Sequence, residues 1–257
     1  VKPHELSNTL RHIAAAIEGS KNPSRKLVAA DLKIVISRLS STVDLVKILA
    51  DHAMWVKGDR AGRKANLEGA DLIGTDLRKA NLAEADMAGA SMVEANLTEA
   101  NLTNADLYGA DLTKVALRGA NLRRAILIGA NLTGANLSNA DLIGAVLLGV
   151  NLSGADLRGA NLTRAYLENA YLKKADLTGA NLIVADLTGA NLTNADLAGA
   201  ILLGANLTNA DLTGADLRNA NLSNANLTNA KLIGAILDGA KTQGADFTGA
   251  DMDPEII

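Results

Sequence analysis

The side chains able to do chemistry are unevenly placed along this chain. All three histidines, His4, His12 and His52, lie within the first sixty residues. No two of them stand three to five residues apart, the spacing at which a helix or turn presents a pair to one metal ion. His52 reads as a half-buried helix residue. Cysteine is absent, which removes thiolate ligands, a thiol nucleophile and disulfides, and fits a reducing compartment. Asp and Glu together number 28. From residue 65 onward most of the aspartates recur in one slot of a five-residue pattern, which reads as a solvated hydrogen-bonding ladder. No phosphate loop, GxSxG elbow or HExxH helix is present. The sequence therefore leads us to expect no catalytic residue, no cofactor and no metal site.

The elements that would have to position any site are dominated by that pattern. From Ala65-Asn66-Leu67 to Ala250-Asp251-Met252 the unit A-(N/D)-L-x-x runs without an insertion. Of the 38 Leu-column positions between 67 and 252, 33 are Leu; the others are Met87, Met92, Thr242, Phe247 and Met252. The position two before it is Ala in 35 of 38 units, with Thr75, Val115 and Val150 the exceptions. A period of five fits neither a helix nor a plain strand. It fits a coil that turns a corner every five residues. Each side is then a three-residue strand centred on the inward Leu, with Ala at the tight corner and Gly or Asn closing the turn, as at Gly69, Gly109, Asn139 and Gly249. Such an interior is filled by Leu and Ala and leaves no substrate cavity.

Composition agrees. Aromatic residues are only 2% while apolar residues are 48%, so the core is thin and uniform. The net charge of −3 divides unevenly. Residues 1–64 carry 12 Lys+Arg against 6 Asp+Glu, and residues 65–257 carry 13 against 22. That split argues for two domains. Residues 4–57 read as three helices, striped by Leu6, Leu10, Ile13 and Ile17, then Leu27, Leu32, Val35 and Leu39, then Leu45, Leu49, His52 and Val56, the last ending near Gly58. The domains predicted are a helical cap over 1–60 and a repeat domain over 61–257, with a short C-terminal cap at 241–257. No apolar run approaches the ~18–20 residues of a membrane span. The expected location is cytoplasmic, with a leader removed from before Val1 left open.

The gapless run of A-(N/D)-L-x-x units resembles the pentapeptide repeat family over about three-quarters of the chain. The resemblance implies a mainly β fold, a right-handed quadrilateral β-helix with a small α-helical N-terminal cap. Four units per coil give about 9.5 coils and a length of roughly 45 Å. The family's motif residues are structural, so no catalytic residue carries over. The layout is similar to cyanobacterial-type members with a helical N-terminal cap. It points to a non-enzymatic scaffold or protein-interaction solenoid, tied to differentiation or stress response. The alternative implied by the family is a DNA-mimicking regulator of a DNA-binding enzyme such as gyrase. Residues 175–257, with 10 acidic against 3 basic residues, are the feature in its favour.

With four units per coil, residues twenty apart stack on one face. The Asn/Asp slot then holds Ile126, Val146 and Tyr166 in consecutive coils, and the companion outward column holds Tyr108, Ile128 and Leu148. These six form an apolar patch, and the same companion column continues as Thr188, Thr208, Thr228 and Thr248. A smaller cluster, Ile183, Val184, Ile201 and Leu203, lies on the adjacent side. A patch of this kind marks an interface, to a protein partner or a second copy. The rival reading is that a very stable solenoid tolerates stray apolar residues. Arg118, Arg123, Arg124, Arg164, Lys173 and Lys174 fall on several faces without an aromatic platform, so nucleic acid is not the expected partner.

Overall fold

A computed structural model describes residues 45–254. The two earlier predicted helices, with the start of the third, and the tail 255–257 lie outside the described residues. The chain divides into two compact units, Val1–Arg63 and Lys64–Ile257.

In the first unit residues 45–56 form helix α1. It ends in a Schellman motif: Gly58 has φ +78°, its N–H donates to the Trp55 carbonyl, and the Asp59 N–H donates to the Met54 carbonyl. Of the predicted stripe, Leu45 and His52 are buried, Leu49 is half-buried and Val56 is exposed. His52 is not half-buried but fully so, and its ring stacks on Trp55 with centroids 5.5 Å apart. One turn of helix separates the two rings, which is the i, i+3 spacing that brings side chains together.

The second unit is a solenoid. Parallel bridges join residues twenty apart in an unbroken series from Asn66↔Asp86 to Lys231↔Asp251, one at every fifth residue. Each coil therefore has four sides. The bonding repeats as a three-part pattern. The Leu67 N–H donates to the Asp86 carbonyl, the Asp86 N–H to the Ala65 carbonyl, and the Gly69 N–H to the Ala88 carbonyl. Within a coil the Ala70 N–H closes a turn onto the Leu67 carbonyl. The third residue of that turn, Gly69, has φ +61°, as a type II turn requires. The same left-handed position is held by Gly109, Asn139 and Gly249, where the sequence placed the corners.

One expectation is corrected. The turn consumes the two residues after Leu, so the extended part of each side is Ala–Asn–Leu, and each side makes one bridge pair at the Asn/Asp slot instead of a three-residue strand centred on Leu. Alternation then sends Ala inward as well as Leu. Ala145 and Leu147 are both 0% exposed, with the slot residue Val146 between them facing out. Ala is thus half of the core ladder and not merely a corner residue. The coil persists through the irregular stretch to Asp251, while Leu237, Phe247 and Met252 become half-buried at its end. There the Gly234 N–H, which would meet a carbonyl in a following coil, is taken by the Asp253 carboxylate at 2.8 Å.

A candidate protein-docking face

The Asn/Asp slot has a local job. Its Oδ1 accepts the backbone N–H two residues on, as Asp106 does from Tyr108 at 2.9 Å and Asp186 from Thr188 at 3.0 Å. This Asx turn satisfies a donor that the coil-to-coil bonds do not reach. Apolar residues in the slot forfeit it. The N–H groups of Ile128, Leu148 and Glu168, two residues beyond Ile126, Val146 and Tyr166, have no partner among the described residues. Each lost bond costs about 0.5–1.5 kcal/mol, less where water reaches the donor. Three consecutive losses in one column weigh against simple tolerance. Val146→Asn is accordingly expected to raise stability by about 0.5–1 kcal/mol, read as a higher denaturant midpoint.

The bridges bring the predicted patch together. Ile126 pairs with Val146 and Val146 with Tyr166, and the column is bounded by Asp106 below and Asp186 above. The companion column is in register, with the Gly109 N–H on the Ile128 carbonyl and the Gly129 N–H on the Leu148 carbonyl. Tyr108 and Tyr166 are 59% and 50% exposed, while Ile126, Ile128, Val146 and Leu148 are half-buried by stacking on one another's coils. One long edge carries Gly109, Gly129 and Gly149, at each of which an added Cβ would meet nothing within 4 Å. Backbone lies open to a partner there. The other edge carries Arg124, Gly144 and Arg164, both arginines exposed and without an ion pair among the described residues. At the upper end Glu168 has a shielded Oε2 with no hydrogen-bond partner.

The second cluster is also assembled. Ile201 bridges Asn181 and Asn221, and the Val184 N–H donates to the Leu203 carbonyl. Val184 is 55% exposed and sits at φ +56°, the one β-branched residue among the left-handed turn positions. A branched Cβ crowds the carbonyl in that region, at about 1–2 kcal/mol. Val184→Asn, the side chain used at eight equivalent positions from Asn104 to Asn229, is expected to stabilise the solenoid by about 1 kcal/mol in chemical denaturation.

Reading by columns missed Tyr171, 55% exposed. It occupies the slot of the next side in the same coil as Tyr166, and it too leaves the following N–H, on Lys173, unbonded among the described residues. The missed signal was the slot substitution itself, which lay one unit away along the chain instead of twenty residues. With Lys173 and Lys174 exposed beside it, the basic residues are less devoid of aromatic company than the sequence suggested.

Charge elsewhere is largely self-contained. Arg158 grips Asp156 through two bonds, at 2.9 and 2.7 Å, and reaches Asp176 at 3.5 Å; Arg218 holds Asp216 in the same way. The arginine hydrogen bonds keep both carboxyls below their ordinary range. Exposed pairs of this kind are worth little to stability, at most about 1 kcal/mol each. Among the described residues no cluster of His, Asp and Glu has the arrangement to hold a metal ion, and no helix is long and apolar enough to cross a membrane.

A family model described as pentapeptide repeats matches in eight copies, over residues 63–98, 90–127, 125–164, 151–189, 185–224 and 225–253. Among solved structures, HetL from the cyanobacterium Nostoc sp. strain PCC 7120, a pentapeptide repeat protein involved in heterocyst differentiation regulation, is 37% identical. That match covers 80% of this chain and 96% of HetL, with a TM-score of 0.46. QnrB1, a plasmid-mediated fluoroquinolone resistance protein, is 21% identical over 73% of this chain and 92% of its own, with a TM-score of 0.60, a likeness of fold alone. Rfr23 from the cyanobacterium Cyanothece 51142 is 42% identical over 37% of this chain and 60% of its own, with a TM-score of 0.29. No curated protein matches the chain.

Proposed function

The chain belongs to the pentapeptide repeat family, and on that premise we propose that it is a non-enzymatic interaction solenoid that docks another protein through the face bearing Tyr108, Ile126, Ile128, Val146, Leu148 and Tyr166. One observation carries this reading. Three successive slots of a single ladder give up their Asx turns for apolar side chains, and the neighbouring column places three more in register beside them. A sequence selected only for the coil gains nothing from that exchange. The closed interior supports the non-enzymatic part, because Leu and Ala fill it at 0–1% exposure through the middle coils. The resemblance in sequence to HetL supports a regulatory role of the kind named for that protein, in cyanobacterial-type differentiation. The test is affinity capture from extract of the native host with wild type beside Ile128→Glu/Leu148→Glu. A protein retained by wild type and lost in the double variant supports the reading, and identical captures overturn it.

A second reading has one feature of its own. Asp156, Asp176, Asp196 and Asp216 follow one another in a single bridged column, an acidic stripe of the sort a DNA mimic presents to a DNA-handling enzyme such as gyrase. Arg158 and Arg218 neutralise both ends of the stripe, which weakens it as a mimic of phosphates. Inhibition of supercoiling by the purified protein would favour this reading over the docking face.

A further inference from the structure

We propose that the first occupant of this face is a second copy of the chain, docked side by side and parallel about a two-fold axis running along the solenoid. The proposal rests on the docking-face reading and names its partner. It comes from the order of residues in the two columns. Such an axis lays the slot column of one copy over the companion column of the other at the same level, twice over by symmetry. Level by level the opposed residues match. Asp106 meets Tyr108 of the second copy, Ile126 meets Ile128, Val146 meets Leu148, and Tyr166 meets Glu168. Two apolar levels are thus closed at each end by a hydroxyl facing a carboxylate. Asp106 spends Oδ1 on its own Tyr108 N–H, which leaves Oδ2 for the incoming phenol. Glu168, whose shielded Oε2 has no hydrogen bond in the single chain, would gain the Tyr166 hydroxyl and the Arg164 guanidinium of the second copy once its carboxylate turns outward; Arg164 stands two residues outside the slot column without an ion pair among the described residues.

The antiparallel alternative fails on charge. A two-fold axis across the solenoid through the Val146 level sets Arg124 against Arg164, while the nearest slot-column carboxylates, Asp106 and Asp186, stand one coil further out. Like charges brought together at an interface oppose it. Size sets the strength. The four matched levels span about 15 Å, and the whole face offers roughly 45 Å by 10 Å per copy. That is about half the ~800 Å² a partner contributes to a standard interface, so the dimer is expected to be weak and concentration-dependent.

Sedimentation equilibrium on the full chain from about 5 to 500 µM tests this, a range chosen for weak association. The wild type is expected to move from monomer to dimer across that range. Arg164→Glu alone sets Glu against Glu168 at both symmetry-related contacts of the upper end and is expected to weaken dimerisation at least about tenfold. Arg164→Glu/Glu168→Arg in one chain, or an equimolar mixture of the two single variants, is expected to restore it to within about threefold, since either arrangement rebuilds both pairs. Restoration also shows that the variants fold. A wild type monomeric throughout the range overturns the dimer while leaving capture of another protein by the same face standing. A dimer unaffected by Ile128→Glu/Leu148→Glu lies elsewhere and overturns the proposed dimer, while capture of another protein by this face is decided by the affinity experiment. A dimer that this double variant dissociates but the charge swaps leave unchanged overturns the parallel register.

Discussion

Leu147→Ala is expected to destabilise the solenoid by about 4 kcal/mol, within the 2–5 kcal/mol seen for buried leucines. Leu147 is 0% exposed and lies in an unbroken column between Leu127 and Leu167, at 0% and 1% exposure. The wall around it is regular and bonded. Its N–H donates to the Tyr166 carbonyl at 2.7 Å, and the Leu127 N–H donates to the Val146 carbonyl at 2.7 Å. Collapse onto the missing methyls would have to break that spacing, so a cavity is expected to persist and its cost to fall at the upper half of the range. The readout needs care in a repeat protein, where coils contact only their neighbours and unfolding need not be all-or-none. Hydrogen exchange resolves this. Protection of the N–H groups on coils 127–167 should drop, and that of coils near Leu207 should hold. Uniform loss along the whole unit would show a single cooperative block instead of a stack of coupled coils.

The coil was legible in the sequence because every side repeats the same physics. An inward Leu, a positive-φ turn residue and a slot carboxamide or carboxylate leave a mark every five residues, and 38 copies allow each column to be read separately. What escaped was the phase of the extended segment. Leu stands out by size, so it looked like the middle of a side, whereas the turn that follows it moves the bridge back to the slot residue. His52 escaped for a different reason. Helical spacing placed it on the stripe but could not tell that Trp55, one turn on, covers its ring. The apolar columns were legible because Ile126, Val146 and Tyr166 violate a slot rule in register. Tyr171 violates the same rule one side away, and Val184 violates the turn rule. Tyr171 became visible only once the Asx turn gave its slot a physical meaning, and Val184, already part of the smaller apolar cluster, gained its turn strain only from the positive φ.

Ile128→Glu/Leu148→Glu is expected to leave stability within about 0.5 kcal/mol while weakening docking more than about a hundredfold. Both expectations follow from where the side chains sit. Ile128 and Leu148 occupy the first turn position after the buried Leu, half-buried and facing out, and the same column accepts Glu68 and Glu168 elsewhere in the solenoid. Their backbone carbonyls carry the coil-to-coil bonds, and substitution leaves those untouched. Surface changes of this type rarely exceed about 0.5 kcal/mol. Docking is another matter. Removing two aliphatic side chains from a desolvated contact forfeits roughly 1.5–3 kcal/mol apiece. Burying a carboxylate against apolar atoms adds a penalty that full pairing alone would relieve. Even the lower sum exceeds the 2.7 kcal/mol that a hundredfold change in affinity requires. A double variant that unfolds would mean that these side chains support the coil and do not project from it. One that folds and still docks at wild-type strength would move the contact off this face, toward the Val184 cluster or the helical unit. The Leu147 and Leu148 substitutions thus form a matched pair one residue apart, with opposite expected outcomes, because one side chain points into the core and its neighbour faces the surface.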